Sequence, residues 1–339
     1  MTARRAPAAA SLALVLVALA ASPGPAGVDD VFRDGGNLAG RNLAGLDLSG
    51  ADLRGANLGR ATLDRAVLTG ARLVGANLAG ASLRDADLRE TYLREAAARG
   101  ADLRGARLGG ADLTRADLRE ARLDGADLTR ATLEGAQLAG ASLRHAFLPG
   151  ARLARARLAG ATLEGATLPA ADLRQADLGA ANLTGANLGA AALADPAPAG
   201  ARLSGANLAD AVLTGANLGS ADLREATLTR AVLTGANLGW ADLTWARGRE
   251  ANFAGASLQW ARAYAADFSG ASFGRANLTR TQLVGARLAG ADLRGARLDG
   301  TNLEQADLAG ADLGGAEIRG VLLNAARNLP AALRGGGRQ

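Results

Sequence analysis

Along most of this chain an apolar side chain returns every fifth residue, with small and polar residues between in a fixed order. Ala51-Asp52-Leu53-Arg54-Gly55 is followed by Ala56-Asn57-Leu58-Gly59-Arg60, and one register runs from Leu38 to Leu323. Every fifth residue over that span gives 58 central positions, of which 50 are Leu, three are Phe (Phe253, Phe268, Phe273) and one is Ile318. Two residues before the centre, 50 of the 58 units carry Ala. A helix makes no sense of this period, because each step of five turns a side chain by about 140° and scatters the leucines around the axis. In an extended segment, residues two apart share a side, so Ala51 and Leu53 face inward while Asp52 and Arg54 face water. The fifth residue, most often Gly, turns a corner that needs permissive backbone angles. Each pentapeptide is then one side of a coil.

One such unit cannot fold alone. Burying a Leu contributes roughly 2 kcal/mol, while ordering five residues costs about 1–2 kcal/mol each. Stability must come from backbone hydrogen bonds and leucine stacking between neighbouring coils. The ends are the weak points. Val31 and Phe32 are placed to cover the first coil, within an N-terminal cap at 28–35. Asn324 to Leu333 is expected to form a short helix over the last coil, followed by a loose tail.

The register is interrupted in two places. Ala192 to Gly200 contains the unit with Pro at both inward positions, Pro196 and Pro198; lacking donors, this unit is expected to loop outward or kink the stack. Between Trp240 and Phe273 fall all three Trp, three of the five Phe and Tyr264, with Gly248 and Ala263 replacing core Leu. Two explanations stand for that segment: aromatics compensating for lost core volume, or an exposed contact surface.

Composition narrows the chemistry. With no Cys and one His, His145, disulfides, thiolate metal sites and almost all histidine chemistry are removed. No nucleophile elbow, phosphate loop or zinc spacing is present, so neither an enzyme nor a resident cofactor or metal is expected. Residues 1–27 differ from the rest: Arg4 and Arg5, an apolar run from Ser11 to Ala21, and Ala18-Leu19-Ala20 as a cleavage site predict a secretory signal and linker. The run is short for a membrane span, so a cleaved signal is favoured over an uncleaved anchor. Without Arg4 and Arg5, 36 Arg face 33 Asp plus Glu. That near-balance makes no basic stripe for nucleic acid.

The repeat resembles the pentapeptide-repeat family, whose units are similar to small-polar-Leu/Phe-polar-Gly, over residues 36 to 323. The resemblance implies an all-β protein, a right-handed quadrilateral β-helix. Four units per coil would turn 58 units into 14.5 coils, a rod about 70 Å long at roughly 4.8 Å per coil. On a four-sided coil Trp240 and Trp260 lie one above the other at the outward fifth position and Trp245 lies at the next corner. With Tyr264 they form a candidate contact surface for a protein, a glycan or a second copy. Stacked Asn columns, Asn37-Asn57-Asn77 and Asn217-Asn237-Asn277, are expected to be side-chain ladders supporting the coil. The expected function is an exported, non-catalytic scaffold or protein-binding rod of the bacterial envelope or periplasm. The alternative, implied by the family, is a DNA-mimicking regulator of a type II topoisomerase. That needs an acidic surface and a cytoplasmic location.

Overall fold

The protein is described by a computed structural model over residues 36–189 and 200–334. It divides into two compact units, Met1–Arg157 and Leu158–Gln339. The expected export signal, linker and N-terminal cap, all before residue 36, lie outside the described residues, as does the tail after Arg334.

Both units are built from one rung. Parallel bridges join the residue before each centre to the one twenty positions on, as in Asn37 to Asn57 to Asn77 in the first unit and Asn217 to Asn237 to Ser257 in the second. Twenty residues per turn with a corner every five gives four sides. The N–H of Leu58 donates to the carbonyl of Asn77 at 2.7 Å, and the N–H of Asn77 donates back to the carbonyl of Ala56 at 2.9 Å. At the corner, the N–H of Ala61 donates to the carbonyl of Leu58 at 3.0 Å, across Arg60 at φ +57°. This is a β-turn whose third residue must be left-handed. Gly takes that angle freely; any other residue is strained there by roughly 1–2 kcal/mol.

The polar residue before each Leu has its own reason. Where it is Asp or Asn, its side-chain oxygen accepts the one backbone N–H that the ladder and the turn leave over, as in Gly59 N–H to Asn57 Oδ1 at 3.2 Å and Thr114 N–H to Asp112 Oδ1 at 3.0 Å. Asp and Asn fit because their short side chains reach two residues on. Where Pro stands at that donor position, as at Pro149 and Pro169, nothing is lost.

Leu and Ala at the inward positions are buried through both units except at the ends of the repeat, as at Ala51, Ala316 and Leu323. Ala98 replaces a Leu in the first unit and leaves a void of about 10 Å³ walled by Leu and Ala, including Leu78, Leu93, Leu103 and Leu118. It is too small and too apolar to hold water. In the second unit the loss at Gly248 is repaired. A Cβ built on Gly248 would fall 2.6 Å from Cδ1 of Phe268, one coil on, so the ring already occupies that space. Phe268 packs edge-on against Phe253 and Phe273, at 5.4 Å from each, while those two stack on one another at 4.9 Å. Thr281 and Thr301, buried at Ala positions, satisfy their hydroxyls on the carbonyls of Leu258 and Leu278.

The even twenty-residue step does not hold everywhere. Asp172 pairs with Arg202 and Asn187 with Asn217, thirty residues apart. The N–H of Ala201 closes the corner turn on the carbonyl of Leu188 at 2.7 Å, the bond that Ala191 would otherwise make. The ladder therefore closes across residues 190–199, whose two five-residue units form no rung of it. Pro196 and Pro198 fall where a rung needs one turn donor and one ladder donor. Their own placement lies outside the described residues.

At the other end the ladder runs further than expected, to Asp307 paired with Arg327. The expected helix over Asn324 to Leu333 is a single turn, Ala331–Arg334. Asn324 to Arg327 continue the repeat instead. Asn328, at a Leu position with φ +55°, has no apolar group to bury, and Pro330 cannot extend the pattern. Ile318, Val321 and Leu323 are only half-buried at this end. No helix among the described residues is long and apolar enough to cross a membrane.

Candidate functional site

The outer faces are dominated by acid–base clamps. An Asp before the central Leu and an Arg after it point the same way two residues apart, and close bidentately. Arg104 holds Asp102 at 2.8 and 2.6 Å, while Arg84 from the preceding coil adds a third bond at 2.7 Å. The same clamp recurs at Asp52–Arg54, Asp87–Arg89, Asp117–Arg119, Asp172–Arg174, Asp222–Arg224 and Asp292–Arg294. In each, the arginine's hydrogen bond holds the carboxyl below the usual carboxylate range, against a smaller opposing effect of burial. These carboxylates are structural ties rather than a pair poised for proton transfer. His145 is an exposed corner residue at φ +54°. Among the described residues no cluster of His, Asp or Glu is arranged to hold a metal ion.

The tryptophans stand apart from this pattern. Trp240, Trp245 and Trp260 all occupy left-handed corners, at φ +62°, +58° and +60°. They are exposed by 63%, 59% and 40%. Trp240 and Trp260, one coil apart, stack with centroids 5.0 Å apart and planes 3° from parallel. The guanidinium of Arg280, one coil further, lies 4.5 Å from the Trp260 ring centre. The structure thus assembles Trp240, Trp260 and Arg280 into one column. It puts Trp245 on the next edge, beside Tyr264, whose carbonyl accepts the N–H of Trp245 at 2.8 Å and whose side chain is 38% exposed. The four aromatics lie on two edges, separated by a face bearing Asp242, Thr244 and Arg262.

Of the two explanations left open by the sequence, compensation for lost core volume applies to the phenylalanines. Phe268 fills the space at Gly248 and packs with Phe253 and Phe273, while the tryptophans stand exposed at corners. Two features escaped sequence reasoning. Tyr92 and Phe147 are exposed singly at outward positions, as isolated surface apolars often are. The ladder's break also falls on the tryptophan edge: a Cβ on Gly200 would sit 2.7 Å from the Ser220 backbone, and Ser220 is the corner directly preceding Trp240 in the column. The thirty-residue pairing alone could have revealed this, and a five-residue period does not contain it. The Asn columns form side-chain ladders as expected, with Asn57 donating to Asn37 and Asn237 to Asn217, both at 3.0 Å. Asn187 joins the second ladder, and Ser257 separates Asn277 from it.

A family model described as pentapeptide repeats (8 copies) matches this chain in overlapping segments from 37 to 195 and from 199 to 324. No curated protein matches the sequence. Among solved structures, HetL, a pentapeptide repeat protein involved in heterocyst differentiation regulation in the cyanobacterium Nostoc sp. Strain PCC 7120, is 36% identical. That alignment covers 66% of this chain and 87% of HetL with a TM-score of 0.34. A pentapeptide repeat protein of the Arabidopsis thaliana thylakoid lumen is 32% identical over 36% of this chain and 72% of its own, at a TM-score of 0.13. QnrB1, a plasmid-mediated fluoroquinolone resistance protein, is 23% identical over 52% of this chain and 89% of its own, at 0.27. At these scores the superpositions say nothing of function. With the repeat model matched over most of its length, the chain belongs to the pentapeptide repeat family, whose members fold as right-handed quadrilateral β-helices.

Proposed function

We propose that this protein is an exported, non-catalytic binding rod of the bacterial envelope or periplasm, which uses its tryptophan edges to hold a partner. The observation that carries this is the placement of Trp240, Trp245 and Trp260: each is exposed, each sits at an angle that strains any residue but Gly, and none fills a core void. Large aromatics so placed offer contact area to a partner beyond what they give the fold. The regulator of a type II topoisomerase is disfavoured, because a DNA mimic needs open negative charge and the Asp–Arg clamps neutralise it. Two measurements test the proposal. Cell fractionation with sequencing of the mature N-terminus should find an exported form starting near Ala21; an intact cytoplasmic Met1 overturns export. Acrylamide should quench the tryptophan fluorescence of the free protein strongly, and blue-shifted, unquenchable emission from a monodisperse monomer overturns the contact surface. Strong inhibition of gyrase supercoiling by the purified protein would favour the topoisomerase reading instead.

A further inference from the structure

We infer that the free face of Trp240 is the platform of a binding groove for a neutral carbohydrate. The inference rests on the tryptophan edge being a contact surface, and adds which ligand chemistry that surface takes. Trp260 covers one face of Trp240, and the 5.0 Å spacing matches the step between coils. The stack therefore runs along the column, and the other face of Trp240 looks toward the preceding corner. That corner is Ser220, too small to cover an indole. A groove of about 320 Å³ borders Ser220 and Trp240 and runs over the flat face beside them, from Asn217 to Ser257 and Gln259 on the Trp260 coil; that is the low end of small-ligand sites, which run roughly 300–1,000 Å³.

The groove is open because of two glycines. Gly219 and Gly239 follow the ladder asparagines on successive coils, at positions where the backbone has no positive φ and does not require Gly. Ala occupies the same place at Ala39 and Ala79. Both glycines line the groove, and a Cβ on either would stand 3.2 Å from the asparagine oxygen two residues back. Their absent side chains leave room and serve no turn.

The lining then selects the ligand. No ionisable side chain borders the groove, so a phosphate or carboxylate finds no counter-charge and a cation finds no carboxylate. The polar groups are amides and hydroxyls. Ser220, Ser257 and Gln259 make no side-chain hydrogen bond among the described residues, while Asn237 spends one amide hydrogen on Asn217 and keeps the other. Groups that both donate and accept suit sugar hydroxyls, which do the same. The apolar C–H face of a pyranose, with its slightly positive hydrogens, suits the negative face of an indole. A protein anchor would need an apolar pocket around its side chain, and here one aromatic face stands among polar groups. A nucleotide base would stack equally well but brings a phosphate with nothing to meet it.

The test uses the purified full chain titrated with cellohexaose, the fully N-acetylated chitin hexamer and maltohexaose, read by tryptophan fluorescence and calorimetry. At least one should bind saturably and shift the emission. Trp240→Ala should weaken that binding roughly tenfold or more. Gly239→Gln should weaken it comparably by filling the groove, with circular dichroism unchanged. Trp245→Ala, on the other edge, should leave it intact. Absence of saturable binding by all three sugars at millimolar concentration overturns the inference, as does binding that Trp240→Ala and Gly239→Gln leave untouched. Tight binding to an acidic polysaccharide or a peptide alone also overturns it. Strong acrylamide quenching and an exported N-terminus alongside such a failure would leave the contact surface standing and remove only its sugar.

Discussion

Around Ala98 the interior is left short of a side chain, whereas around Gly248 and Ala263 three phenylalanines refill it, and only the second place carries tryptophans outside. Volume explains the inner residues of both places. It does not explain Trp240, Trp245 and Trp260, which stand at corners where Gly would be free of strain. What the second place has beyond repair is a set of exposed tryptophans at its corners, and the function proposed for them rests on that difference.

The contrast breaks first, and hardest, at Phe268. Replacing it by Ala reopens the space at Gly248, where no side chain exists to relax inward, so the cost should be about 3–5 kcal/mol. Urea unfolding followed by tryptophan fluorescence reads this locally. A loss below about 1 kcal/mol would mean that the ring is not what fills the coil. At the hollow place the sign reverses. Ala98→Leu restores the side chain its neighbours share and should gain about 1 kcal/mol, measured as a raised unfolding midpoint in urea. A loss there would show that the walls have closed on Ala98, and that both places are repaired by different means.

Much of this could be read from the chain itself. The five-residue register placed every Leu and Ala that is buried, because the backbone alternation behind it is geometric. The twenty-residue coil implied by the family put Trp240 above Trp260, and the rings do stack. The Asp–Arg clamps were half-visible: charge balance by column could be counted, but closure within one unit depends on side-chain reach. The shift to thirty-residue pairing was hidden, because residues 190–199 keep the five-residue spacing and only pairing tells which units form rungs. The split between inner Phe and outer Trp was hidden for a related reason. Position in the unit decides it, and composition blurs it. The groove at Gly219 and Gly239 needed the free side of a stacked ring to be known.

The two places also differ in what ties their outer faces. Asp102, on the five-residue side just after Ala98, is held low by the Arg104 hydrogen bond and then by Arg84, against the effect of burial. For Asp267, near the phenylalanines, burial is the largest single influence and raises the value, but hydrogen bonds from Ser269 and the charges of Arg287 and Arg249 together outweigh it. Both carboxyls sit below 3.8 when folded, so each stabilises above that pH, and the contribution is lost as pH falls through the lowered value. Asp102→Asn should cost about 1 kcal/mol at neutral pH in low salt, the upper end for ion pairs open to water, because Asp102 is only 14% exposed and is held by both Arg104 and Arg84. It should also flatten the acid limb of a stability–pH profile and lose its effect in high salt. Persistence of the full cost in high salt would mean a packing role for Asp102 rather than a charged one.

The smallest effect is the most discriminating. Trp245→Gly removes the chain's largest kind of side chain, yet should change stability by less than about 0.5 kcal/mol, as at ordinary surface positions. Relief of the left-handed strain at φ +58° offsets the lost contacts of a ring that is 59% exposed. Gly at this corner is what Gly205 and Gly285 already supply elsewhere in the same column. Trp260→Gly should cost more, since it breaks the stack with Trp240 and the contact with Arg280, a pair of interactions of about 1 kcal/mol each. If thermal unfolding shows Trp245→Gly costing 2 kcal/mol or more, the ring is part of the fold. The outer aromatics would then join the phenylalanines as repair, and the contrast with Ala98 would come down to volume.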